Sequence, residues 1–107
     1  MFSKKDQGGY KELKEGVFMK ALVHGQRTLL CEFRVGKGGM IPRHKHPHEQ
    51  TGYLVEGRMT LKTEQGTWEL EPGDAWCISG DELHSAEILE DALLVEVFSP
   101  VRQEYLR

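Results

Sequence analysis

From Gly16 onward, apolar and polar residues alternate in short runs, and a turn signal closes each run. Residues 28–35 show this best: Leu29, Cys31, Phe33 and Val35 fall on one side of an extended chain, and Glu32 and Arg34 on the other. Residues 17–23 form an earlier strand, stopped by His24-Gly25-Gln26-Arg27. Gly36-Lys37-Gly38-Gly39 breaks the chain, and residues 40–46 read as a strand carrying histidines. Further strands are expected at 52–55, at 58–63 with Met59 and Leu61 on one face, around Trp68 and Leu70, and at 75–78, 84–89 and 92–98. The turns between them are Glu56-Gly57, read as a hairpin, then Glu64-Gln65-Gly66, Pro72-Gly73-Asp74 and Ser79-Gly80-Asp81-Glu82. No segment repeats its apolar residues at the helical period. The pattern predicts an all-β sandwich or barrel with antiparallel pairing.

The chain is 107 residues long, which suits one domain. Residues 16–99 carry the strand pattern. Residues 1–15 are polar and read as a loose or edge-packing N-terminal segment, and 100–107 as a tail over the surface or a partner subunit. The net charge is −3, and no basic stripe marks a nucleic-acid partner. Apolar runs are too short for a membrane helix, which needs about 20 residues. The first residues have no apolar signal-peptide core, so the expected location is the cytoplasm. Cys31 and Cys77 lie far apart in apolar segments and are expected as buried thiols of a reducing compartment.

The histidines add chemistry. His44 and His46 are two apart, which on a strand puts both imidazoles on one face and makes half of a first-row metal site. A histidine from elsewhere, His84, completes three nitrogens. Gln50, four after His46, is expected as the oxygen donor, and Glu49, one residue earlier, as facing away or supporting a ligand from behind. His48 follows Pro47 and is placed behind the ligands or at the pocket rim; His24 is structural or superficial. Taken alone, His44, His46 and His48 also read as a solvated loop whose charge is tunable.

Gly38, His44, His46, Gln50 and Gly57, followed by Gly73 and His84, resemble the two motifs of the cupin family, with Gln50 where that family usually has Glu. The resemblance runs from about Gly36 to Phe98. It implies a single-domain cupin β-barrel of the RmlC-like jelly-roll kind, a homodimer, and one divalent metal ion on His44, His46, Gln50 and His84. A narrower resemblance rests on His46-Pro47-His48-Glu49-Gln50, on Tyr53-Leu54-Val55-Glu56-Gly57 and on Phe98-Ser99-Pro100-Val101-Arg102. These are similar to the KdgF-type cupins of pectin and alginate breakdown. By that resemblance Glu96 transfers a proton, standing where the family normally has Asp. Phe98 walls the substrate pocket, and Arg102 pairs with the carboxylate of a sugar acid. The reaction implied is conversion of a 4,5-unsaturated uronate to its linear keto form. Tyr53 is expected to line the barrel.

Three neutral imidazoles and a neutral amide leave the full 2+ charge on an ion, a strong Lewis acid for a carboxylate, enol or hydroxyl. Nickel, zinc, manganese, iron and cobalt all suit these donors. Two other classes stay open: a metal-dependent dioxygenase, and a non-enzymatic cupin module that binds a small molecule or a metal.

Overall fold

The computed structural model describes residues 1–106. Eight strands follow in chain order: β1 (Lys11–Lys14), β2 (Val17–His24), β3 (Leu29–Val35), β4 (Met40–His44), β5 (Glu49–Thr63), β6 (Gly66–Leu70), β7 (Ala75–Ile78) and β8 (His84–Ser99). A short 3₁₀ helix, Gln103–Leu106, closes the chain. Every strand pairing is antiparallel. No helix among the described residues is long and apolar enough to cross a membrane.

Two strands are twice as long as the pattern predicts, and they organise everything else. The first part of β5 pairs with β7 and with the second part of β8, while its later part pairs with β6 and the first part of β8. β8 likewise pairs with β4 early and with β3 late. One sheet is therefore β1-β2-β3-β8-β5-β7 and the other β4-β8-β5-β6, with β5 and β8 passing through both. The apolar residues of both inner faces meet between them, among them Val17, Leu29, Leu54, Ile78, Ile88 and Phe98. Among the described residues the hydrogen-bonded ladders stop at β1, β4, β6 and β7 and do not close into a ring.

Glu56-Gly57 is therefore not a hairpin turn. The register shifts at Leu54/Glu56, Glu56/Arg58 and Arg58/Met59 while the pairing with β8 continues on both sides. These are bulges at which the β5–β8 ribbon bends from one sheet to the other. Gly57 has φ +92°, and a Cβ there would sit 2.4 Å from the Asp91 carbonyl oxygen, so only glycine fits the bend. The break expected between residues 89 and 92 is the same bend seen from β8.

The alternation in β3 is as expected: Leu29, Cys31, Phe33 and Val35 are all buried. Cys77 is not buried. On β7, Trp76 and Ile78 turn inward, so Cys77 between them turns out. Burial pushes the Cys31 thiol up to about 12, leaving it an inert core side chain. The polar stretch Lys11–Lys14 is a strand on the edge of β2, with all its residues exposed. The tail folds back on the core: Val101 is buried, and the Tyr105 ring meets Phe98 and Phe33 edge-on at 5.4 and 6.1 Å.

Candidate metal centre

Two loops carry the histidines to one place. The first follows β4 and holds His46; the second precedes β8 and leads into His84. The Asp81 N–H donates to the His46 carbonyl at 2.7 Å, and Gly80 lies so close that a Cβ would stand 2.4 Å from the Pro47 carbonyl oxygen. His44 and His84 face each other as register partners of β4 and β8. The ring centroids of His44 and His84 are 4.3 Å apart, those of His46 and His84 5.0 Å, and those of His44 and His46 5.5 Å. One ring nitrogen from each lies within 4.8 Å of the others.

Backbone carbonyls set the tautomers. Nδ1 of His44 lies 2.8 Å from the Pro42 oxygen, Nδ1 of His46 3.0 Å from the His48 oxygen, and Nδ1 of His84 2.9 Å from the Glu82 oxygen. A carbonyl only accepts, so each Nδ1 carries a proton, and in a neutral ring the lone pair is then on Nε2. Burial holds His46 down at about 4, helped by the charge of Arg102, and burial also lowers His84. Both rings are therefore neutral at neutral pH, the form a metal needs.

Gln50 is buried on the inner face of β5, and Glu49 is exposed, as strand parity requires. The Gln50 Nε2 donates to Glu96 Oε2. Its Oε1 is buried without a partner, and so is Nε2 of His46 beside it. Two buried acceptors side by side, with no hydrogen between them, are a pair that a cation would satisfy. By this test the three histidines and Gln50 fit a divalent ion. The hydrogen bonds from the rings to backbone carbonyls are those of imidazoles oriented from behind.

Glu96 is buried on β8 and shares its inward face with Phe98. Trp76 Nε1 donates to Glu96 Oε2 at 3.1 Å. Burial pushes the Glu96 carboxyl up to about 7, against the hydrogen bonds from Trp76 and Gln50 and the charge of Arg102. Arg102 follows β8. Its guanidinium carbon lies 5.3 Å over the Phe98 ring and 4.2 Å over Tyr105, and its Nε donates to Glu104 at 3.0 Å. His44, His84, Gln50, Glu96, Phe98 and Arg102 line one cavity of about 260 Å³.

A model of the cupin domain matches residues 31–99, more than half of the chain. The chain belongs to the cupin family. KdgF from a Halomonas species is 28% identical, covers 97% of this cupin and 98% of its own length, and superposes with a TM-score of 0.91. An RmlC-like cupin from Shewanella frigidimarina is 24% identical over 97% of this chain and 94% of its own, also at 0.91. A predicted oxalate decarboxylase from Thermotoga maritima shares the fold at 16% identity, over 94% of this chain and 100% of its own, with a TM-score of 0.80. Comparison with curated proteins by sequence returns no match.

Tyr53 stands apart from the site. It is 48% exposed on the outward side of β5, because Leu54 beside it takes the core position. His48 is half-buried, its ring 5.5 Å from that of His46, and it does not line the cavity; His24 ends β2 far along the chain from the cluster. Trp76, Gly52 and Tyr105 belong to the cavity neighbourhood and were not singled out by their sequence pattern. A glycine inside an alternating strand was the available signal, since it marks a place where another group comes close.

Proposed function

We propose that this cupin is a metal-dependent enzyme that converts a 4,5-unsaturated uronate to its linear keto form, on a jelly-roll barrel like that of KdgF. One observation carries the reading. A buried carboxylate and an arginine open onto the same cavity as two of the clustered histidines and Gln50. The structural likeness to the Halomonas KdgF supports it.

A divalent ion held by His44, His46, Gln50 and His84 would supply Lewis acidity toward a sugar oxygen. Arg102 pairs with the uronate carboxylate through its planar fork, and its stacking on Phe98 and Tyr105 holds that fork in place. Phe98 closes one wall and keeps water from the reacting atoms. Glu96 takes the proton of the anomeric hydroxyl as the ring C–O bond breaks. It then returns a proton to C4 as the enol becomes a ketone. The ring oxygen ends as the ketone oxygen, nothing is oxidised or reduced, and the carboxylate is restored. Glu96 uses Oε2 for Trp76 and Gln50, so Oε1 is the atom that faces the substrate.

The test follows the loss of enol-ether absorbance of unsaturated galacturonate, with nickel, zinc, manganese, cobalt or iron present well above its dissociation constant. Wild-type protein is expected to turn the substrate over. Glu96→Gln should be slower by about 10²–10⁴-fold, and Arg102→Ala should chiefly raise KM. An inert wild type with every metal, or full turnover by Glu96→Gln, overturns the reading.

A further inference from the structure

Trp76, Gly52 and Glu96 stand on one rung across three strands, β7, β5 and β8. Gly52 is in the middle, and its missing side chain is what lets the outer two meet. A Cβ at Gly52 would lie 2.2 Å from Cε2 of the Trp76 ring. The indole fills that space and places its N–H 3.1 Å from Glu96 Oε2. The same oxygen accepts from the Nε2 of Gln50, two residues before Gly52 on the same inward face. The Gln50 amide spends its nitrogen on this contact, because the N–H is the group that donates to the carboxylate oxygen. The amide oxygen is thereby turned the other way. It is the buried oxygen with no partner, beside the bare Nε2 of His46.

We propose that Trp76 is a positioning residue for the metal centre: through Glu96 it holds the Gln50 amide with its oxygen toward the three histidines. Without the indole N–H, the carboxylate keeps one partner instead of two and is free to turn, and the amide loses its fixed sense. A flipped amide presents N–H groups to a cation. Gly52 is the sequence feature that makes the contact possible. Arg102, the other charged neighbour of Glu96, leaves the amide's sense undetermined, because it does not touch Gln50 among the hydrogen bonds of the site.

This inference rests on the reading of Gln50 and the histidines as metal donors, and its test separates the two. Metal-free protein is titrated with cobalt(II), following heat and the visible spectrum of the bound ion. The variants are Trp76→Phe, Gln50→Ala and the double variant, with Gly52→Ala as a second way to dislodge the ring. Loss of an outer partner typically weakens metal binding by about 10–100-fold. Trp76→Phe is expected to weaken cobalt binding by about tenfold and to shift the spectrum toward that of Gln50→Ala. In the Gln50→Ala background, Trp76→Phe should cost nothing further, because the group it acts through is gone. Gly52→Ala should behave as Trp76→Phe does, and it decides the question if Trp76→Phe fails to fold. Unchanged affinity in both Trp76→Phe and Gly52→Ala overturns the proposal alone, and so does an equal loss from Trp76→Phe with and without Gln50. A wild-type protein that binds no cobalt overturns the metal reading, and the proposal falls with it.

Discussion

His44, His46 and His84 each commit Nδ1 to a backbone carbonyl only two residues away, so the loop that carries each ring also aims it. This local device fixes the orientation of each ring through its own neighbouring backbone. His84 is 6% exposed and comes from the far end of the chain relative to His44 and His46, so it ties the two histidine segments together. If the three histidines hold a metal as proposed, removing His84 takes away a direct donor, which should cost more than the roughly 10–100-fold typical of an outer partner. His84→Ala is expected to lose bound cobalt or nickel at micromolar concentration while keeping its β-sheet circular dichroism. Unaltered metal stoichiometry on elemental analysis excludes His84 as a ligand. The inward turn of Gln50 against Glu49 was legible from strand parity; the place of His46 was not, because β4 ends at His44 and His46 lies in the loop beyond it. Tyr53 was not, because the alternation of residues 52–55 does not say which face is inside; Leu54 decides that by packing.

At the scale of the strands, β5 and β8 are each one strand that the local pattern divides in two. Polar pairs interrupt both: Glu56-Gly57 on β5 and Glu90-Asp91 on β8. Read along the chain, such a pair is a turn. In the fold the two interruptions lie near one another, with Arg58 opposite Glu90 and Glu56 opposite Leu93, and together they make the bend between sheets. Gly57 should therefore be less replaceable than a glycine in an open turn. Gly73 has φ +99°, and a Cβ added there would meet nothing within 4 Å. At Gly57, with φ +92°, the same atom would meet the Asp91 oxygen at 2.4 Å and Ala92 Cα at 2.7 Å. Gly73→Ala carries backbone strain alone, about 1–3 kcal/mol. Gly57→Ala carries the strain and a collision with backbone that cannot yield cheaply. Thermal unfolding should place Gly57→Ala clearly below Gly73→Ala. Equal midpoints would mean that the bend tolerates a side chain.

The whole molecule is two sheets threaded by one ribbon, and the outward side of that ribbon carries uncovered apolar side chains. Tyr53 and Val55 are 48% and 40% exposed on β5, with Val95 of β8 paired beside Tyr53. A homodimer covering this face is the expected state, since burying aromatic and branched side chains favours association. Light scattering of the wild-type protein at micromolar concentration should give twice the 12.2 kDa chain mass, and Tyr53→Glu should shift it toward the monomer. A wild-type protein of monomer mass rejects this. Tyr53, expected as a barrel residue, would on this view serve an interface.

The order of strand-forming runs, the all-β class and the shared face of Leu29, Cys31, Phe33 and Val35 follow from period-two alternation, which is a property of neighbours in the chain. The tertiary structure decided whatever depends on residues far apart in sequence. It joined the segments that polar pairs divide in the local pattern, turned Tyr53 and Cys77 outward, and folded the tail so that Tyr105 packs under Arg102. It also set Gly52 between Trp76 and Glu96, three strands abreast. The physical reason is the same in each case: alternation tells which residues share a face, and only the packing of one sheet against another tells which face is inside and what meets there.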